Sequence, residues 1–264
     1  MNAIPDLSIL SERPHGAAMP RARIAGAYLE EMRSEILRYL RNPGFVLPTT
    51  LFPSVFYLMF GVLMGHDASP QAARYLLASY ATFGVMAPGL FGFGVSLAME
   101  REGGLLTLKR ALPMPAAAYL AGKMVMAMLM AAVVVTLLLL LATTLAHVPL
   151  SATQVACLYA TGMLGVLPFC ALGLLIGSLV KGQAAPALIN LLYLPMAFLS
   201  GLWFPLKGAL LAAAPVWPSF HLNQLALAAV GMPHHGGLLP HVAVLATVTA
   251  VVLGLAARRL RRHG

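Results

Sequence analysis

Six long apolar stretches dominate the residue pattern of this chain, at about 45–65, 75–98, 124–146, 154–180, 184–204 and 238–257. A helix needs roughly 20 apolar residues to cross the hydrocarbon layer of a bilayer, and each stretch reaches that length. The pattern therefore predicts an all-α integral membrane protein with six transmembrane helices. Prolines inside the stretches (Pro48, Pro53, Pro88, Pro168, Pro195) are compatible with this, because neighbouring helices re-satisfy the carbonyls they free. Only Lys181–Gln183 separates the fourth and fifth stretches, which predicts a tight helical hairpin. Gly61/Gly65 and Gly173/Gly177 have the GxxxG spacing that permits close helix approach.

Two shorter patterns flank these spans. In "AYLEEMRSEILRYLRNPGF", Leu29, Met32, Ile36 and Leu40 recur at helical spacing, with charged residues on the other faces. Such an amphipathic helix suits a bilayer interface, with Arg33, Arg38 and Arg41 at the phosphates. Asn42-Pro43-Gly44 breaks it and turns the chain into the first span. A soluble helix packed on a partner is the alternative. Between spans five and six, Pro205–Leu238 is too apolar for a free loop, and its prolines cut it into pieces too short to span. Two short re-entrant helices fit that stretch, with Trp203 and Trp217 at headgroup level. The expected organisation is a flexible tail over 1–25, a transmembrane domain over 26–257 and a basic tail over 258–264.

Composition agrees with a membrane protein: 60% of residues are hydrophobic, only 9% are charged, and the mean hydropathy is +0.84. A net charge of +9 would ordinarily raise nucleic acid as a partner, but its placement points elsewhere. Fifteen of the 17 basic residues fall in the N-terminal region, the loop after span two, the residue after span four and the C-terminal tail. Only Arg74 and Lys207 fall on the other side. By the positive-inside rule both termini are cytoplasmic and the charge is topological. Cys157 and Cys170 both lie within one apolar stretch, which gives neither a disulfide framework nor a CxxC metal motif. The proline-broken N-terminus lacks the basic and apolar regions of a cleaved signal peptide.

The six stretches hold no Asp, Glu, Lys or Arg, so the mid-membrane ionisable site expected of an ion-coupled carrier is missing from the pattern. No G-x-x-x-x-G-K-[ST] is present; Gly122-Lys123 is followed by Met124. The chain is therefore not expected to hydrolyse ATP, and any uphill movement would draw its energy from a partner. A serine hydrolase would need Ser178 or Ser200 to meet a histidine such as His221 or His241, and no oxyanion-hole loop accompanies them. His221, His234, His235 and His241 lie together on the outer side but read as solvated loop residues. No metal and no catalytic residue is assigned.

Charge is concentrated instead in "MEREGGLLTLKRALPMP", between spans two and three, where a glycine pair precedes a short "LLTLKRAL" helix stopped by Pro113. Topological retention explains the basic residues there but not Glu100 and Glu102, so the segment reads as a surface that a partner engages.

Four stretches in order resemble the permease subunits of type-2 ABC exporters (the ABC-2 family). They are the helix ending "LRNPGF", the run "FGVSLAMEREGGLLTLKRALPMPAAAYLAGK", the span-five exit "NLLYLPMAFLSGLWFPL", and the apolar segments before span six. The likeness covers residues from about 28 to 260. Many relatives have Gly-Thr, a hydrophobe and Glu where this chain has Gly103-Gly104-Leu105-Leu106-Thr107. The resemblance implies a bacterial inner-membrane exporter subunit, paired with a second copy or a paralogous permease, that carries no cofactor of its own. ATP and Mg would sit on a partner ATPase. It further implies that Glu100, Arg101, Glu102, Gly103, Gly104, Leu105, Leu106, Leu108, Lys109 and Arg110 form the coupling segment that docks on that ATPase. Asn190, Tyr193, Ser200, Gly84 and Gly89 are candidates for bordering the substrate path, though each also suits helix packing. Alternatives to be weighed are a structural or assembly membrane protein and a secondary carrier.

Overall fold

The computed structural model describes residues 20–64, 70–111 and 115–263. Every regular element among them is helical. In chain order these are α1 (Arg21–Leu40), α2 (Pro43–Phe56), α3 (Pro70–Glu102), α4 (Leu105–Ala111), α5 (Ala116–Thr144), α6 (Ala152–Gly165), α7 (Leu167–Leu179), α8 (Ala185–Leu199), α9 (Gly208–Ala213), α10 (Pro218–Ala229) and α11 (Leu238–His263). Five helical segments are long and apolar enough to cross a membrane: Pro43–Leu63, Pro70–Glu102, Ala117–Thr144, Ala152–Leu179 and Leu238–Leu260.

Helix α3 is the central post. Its burial follows from its small residues, which let neighbours approach on all sides. A Cβ on Gly84 would lie 2.5 Å from Val134 of α5, and one on Gly89 would lie 2.7 Å from Phe169 of α7. At 33 residues it runs about 50 Å, well beyond the thickness of a hydrocarbon core. The tightest approach is between α3 and α7. There a Cβ on Gly173 would meet the Gly89 carbonyl at 2.6 Å, and one on Gly177 would meet the Gly94 carbonyl at 2.4 Å. The Gly173/Gly177 motif thus serves packing within the chain, backbone against backbone.

Local chemistry explains most boundaries. Pro48 and Pro53 interrupt the hydrogen-bond ladder of α2, which continues as a π-helical stretch over Tyr57–Leu63. The fourth apolar stretch is divided into α6 and α7 at Val166, with Pro168 just beyond Gly165. Side-chain space at Gly165 is taken by Leu222 of α10, 2.2 Å from where a Cβ would sit. Ser151 and Gln154 form a capping box that starts α6.

The fifth apolar stretch does not fold as one 21-residue span. Helix α8 covers 15 residues, about 22 Å, and ends where Gly201 adopts a left-handed conformation at φ +76°. Leu202 N–H then donates to the Ala197 carbonyl at 3.2 Å, closing the helix end, and the Tyr75 hydroxyl donates to the Gly201 carbonyl at 2.6 Å. The apolar residues after it, Trp203 and Phe204, are not helical. Two short helices do follow, α9 and α10, and α10 is largely buried against α3, α6 and α11. Helix α11 continues through the basic tail without a break at residue 257.

Candidate functional site

The buried ion pairs among the described residues gather at one end of the bundle. Helix α1 packs along the first turns of α5, and its most buried residues lie off its apolar stripe, of which Met32 and Ile36 are half-buried. Glu31, Glu35 and Tyr39 are buried, one turn apart, whereas Leu29 and Leu40 are 67% and 56% exposed. The buried charges find partners on three other helices. Lys123 of α5, fully buried, donates to Glu100 of α3 at 2.8 Å, to Glu35 of α1 at 3.3 Å and to the Ser96 hydroxyl at 2.6 Å. The Tyr119 hydroxyl donates to the second Glu100 oxygen at 2.6 Å. Lys109 of α4 binds Glu31 and also reaches Glu35 at 3.3 Å, with its ammonium 4.6 Å from the Tyr119 ring centroid. Arg38 binds Glu35 and reaches Glu100 at 2.6 Å.

Three carboxylates thus face three cations, so the cluster is neutral as a whole. Neutrality matters because an uncompensated charge in such a site is costly, whereas a fully hydrogen-bonded set holds its geometry. Burial disfavours the charged Arg38 guanidinium, but Glu100 and Glu35 outweigh it and hold the Arg38 pKa above its ordinary value. A cavity of about 250 Å³ opens beside the cluster between Arg38, Phe45, Phe91, Ser96 and Met126.

The acidic and basic residues at the end of α3 also work within the chain. Arg101 donates to the carbonyls of Ser178 and Val180 at the C-terminus of α7, and Arg259 of α11 reaches the same Ser178 carbonyl at 3.3 Å. Two cations therefore cap one helix end. Glu102 accepts the Gly182 N–H at 2.8 Å, which fixes the turn after α7.

Among the residues singled out between spans two and three, Glu100, Arg101, Glu102 and Lys109 all bind other parts of the chain, and Leu106 packs on the core. Gly103 and Leu108 are left facing outward, Leu108 with 66% of its surface exposed. Gly104 has φ +75°, the turn that lets α4 leave α3, and Leu105 opens α4 half-buried. The side chain of Arg110 and residue Pro113 lie outside the described residues. On α1, Arg38 points into the cluster while Arg33 and Arg41 are exposed.

The residues named for a substrate path are not brought together. Gly84 and Gly89 are consumed by helix packing. Tyr193 is buried and donates to the Phe83 carbonyl at 3.0 Å. The Ser200 hydroxyl lies 2.5 Å from that of Ser219, and Asn190 is exposed on α8. A separate apolar groove of about 700 Å³ runs between α6, α10 and α11, past Leu164, Leu225 and Leu245. Of the four histidines grouped after α9, His221 and His241 meet, while His234 and His235 stay in an exposed loop.

Sequence reasoning missed Glu31, Glu35, Ser96, Tyr119 and Lys123 as site residues. One signal was available: Glu31, Glu35 and Tyr39 share a stripe distinct from the apolar one on the same helix.

Long apolar helices around a central rod, closed at one end by the charge-locked α1 and α4, define a multi-pass helical membrane protein. Residues 29–225 match the family described as ABC-2 type transporter, and the chain belongs to that family. It is also similar to the Bacillus subtilis (strain 168) protein named "Putative transport permease YvfS", with 28% identity over 196 residues, 72% of this chain and 80% of that relative.

Proposed function

We propose that this chain is the membrane-spanning permease subunit of an ATP-driven exporter, worked by a separate ATPase that docks on α4. The observation that carries this reading is the bond from Lys109 on α4 to Glu31 and Glu35 on α1, continued through Lys123 and Glu100 to α5 and α3. A push on α4 is delivered to three helices at once rather than absorbed by a loose loop. In this reading α8 completes a sixth crossing together with the non-helical residues after it, and α9 and α10 re-enter from the far side. Both termini face the cytoplasm across the inner membrane, as the distribution of Lys and Arg favours. A second copy, or a paralogous permease, completes the pathway. The ABC-2 family match favours this over an assembly protein, and the pairing of Lys123 with Glu100 and Glu35 disfavours a carrier using that lysine as a free coupling site.

The geometry separates docking from folding. Lys109 holds α1, so reversing its charge disturbs the chain itself. Leu108 faces outward and is the better probe. Leu108→Glu is expected to weaken retention of the ATPase about tenfold or more, while moving thermal stability by no more than about 0.5 kcal/mol. Copurification from cells expressing both subunits measures the first, and unfolding in detergent the second. Undiminished retention in Leu108→Glu would place the docking surface elsewhere. A wild-type chain that never retains an ATPase would favour the assembly reading.

A further inference from the structure

At the end of the bundle opposite the charge cluster, His221 of α10 and His241 in the first turn of α11 face each other with their Nδ1 atoms 2.8 Å apart. Both residues are buried, with 7% and 6% of their surfaces exposed. Their other nitrogens are also engaged. His221 Nε2 lies 2.9 Å from the Pro215 carbonyl oxygen, and His241 Nε2 lies 2.6 Å from the His235 carbonyl oxygen.

A carbonyl oxygen can only accept, so both Nε2 atoms must carry hydrogen. A neutral imidazole has a single N–H. If both rings were neutral, each would spend its hydrogen on a carbonyl, and two bare lone pairs would meet at 2.8 Å. The three hydrogen bonds need three N–H groups, and two neutral rings supply two. We infer that His221 and His241 form a proton-binding site that takes up one proton from water, shared between the two Nδ1 atoms, and that this proton locks α10 to α11.

The surroundings suit a single added charge. No carboxylate occurs anywhere after Glu102, so none is supplied by α5 to α11, and the two backbone carbonyls stabilise the cation instead. Phe220 packs edge-on to both rings, with centroids 5.6 Å and 6.2 Å away. At this end of the bundle the titratable groups on the elements packed around the pair are Arg74, Tyr75 and Tyr80 on α3, Cys157 and Tyr159 on α6, Cys170 on α7, Tyr193 on α8, and the exposed His234 and His235, while Glu100, Arg101 and Glu102 lie at the far end of α3 and Arg258 and Arg259 at the far end of α11. Lys207 lies at the start of α9, and Asp67 lies outside the described residues. Arg74 itself donates to the Pro149 carbonyl, and the Tyr75 and Tyr193 hydroxyls donate to backbone carbonyls elsewhere. Gly236, at φ +76°, sets the turn that brings the His235 carbonyl over the ring.

The lock has two pH limits. When the shared proton leaves, two lone pairs oppose each other, so the contact is lost as pH rises. A second proton would set two imidazolium groups against each other, so the contact is also lost as pH falls. Burial, the largest influence, lowers the proton affinity of His221; the Pro215 carbonyl opposes it, and the charge on His241 adds a smaller lowering. Because the lock encloses residues 215–241, its opening frees the segment between α9 and α11. Two coupled imidazoles titrate as a unit, so the limits belong to the pair.

The experiment uses the full chain in lipid nanodiscs. Nitrogen-15 NMR of labelled histidine near neutral pH counts protonated ring nitrogens at these two residues. Three of four is the expected count, and two of four overturns the proposal. Hydrogen exchange over 205–241, corrected for intrinsic rates, is followed between about pH 5 and pH 9. Protection is expected to peak between the limits and to fall about tenfold on either side, and His241→Phe should flatten the profile. A flat wild-type profile, or an unchanged one in His241→Phe, overturns the lock. Protection that appears only with added zinc and vanishes with a chelator makes the pair a metal site and also overturns it. The nitrogen count needs no variant, so misfolding of His241→Phe leaves the test intact.

Discussion

Lys123→Met is expected to destabilise the folded chain by about 3–5 kcal/mol, the range for removing one partner from a buried ion pair. Lys123 is the most buried member of the cluster and touches Glu35, Glu100 and Ser96 together. Its loss leaves two of three carboxylates short of a partner, with Arg38 and Lys109 alone to compensate them. Unfolding in a defined detergent measures the change. A second substitution, Glu100→Gln, removes one of the stranded charges while keeping one acceptor oxygen, enough for either Tyr119 or Ser96. The double variant should therefore recover part of the loss, and the cycle should show coupling of more than about 1 kcal/mol. A Lys123→Met chain within about 0.5 kcal/mol of wild type would mean that the cluster contributes nothing to stability.

The second large effect is a reversal of sign between two identical changes. Alanine is a better helix former than glycine by up to about 1 kcal/mol, so Gly254→Ala, with nothing within 4 Å of the new Cβ, should be neutral or stabilising. Gly177→Ala places the same methyl group 2.4 Å from the Gly94 carbonyl oxygen. That atom is backbone and cannot rotate away, so α3 and α7 must separate. A loss of about 1–3 kcal/mol is expected, or more if the helices cannot readjust. Comparing melting temperatures of the two variants removes the intrinsic helix term. Equal shifts would show that the α3–α7 contact is looser than its geometry.

Hydropathy located the helices well because a lipid-facing helix must be apolar across the hydrocarbon layer, as 124–144 of α5 and 238–257 of α11 are. It failed at residues 200–204 for an equally physical reason. Ser200, Gly201, Leu202, Trp203 and Phe204 are as apolar as a helix, but Gly201 takes a conformation that ends one, and periodicity carries no trace of that. The GxxxG pair on α7 was visible, though its partner glycines on α3 were not, since which helices touch is a tertiary fact. The charge cluster was half legible. Concentrated charge between α3 and α5 marked the place, and its reading as an outward surface followed from treating the segment alone. Glu31 and Glu35 lie more than 60 residues earlier, and only the packing of α1 on α5 turns Glu100, Lys109 and Lys123 inward. The histidine pair was legible as a group of four on one side. Which two would meet was set by α10 folding back against α11.

The glycine contacts on α3 have a mechanical consequence. They grip the helix near Gly89 and Gly94, close to its midpoint, against a neighbour too near to slide past. From Gly89 the helix extends about 20 Å to Glu102 at the charged end and about 20 Å to Tyr75, whose hydroxyl holds Gly201, at the other. One helix therefore joins Glu102, which fixes the turn at Gly182, to Tyr75, which holds Gly201, so the two ends of the bundle share a single glycine-packed post.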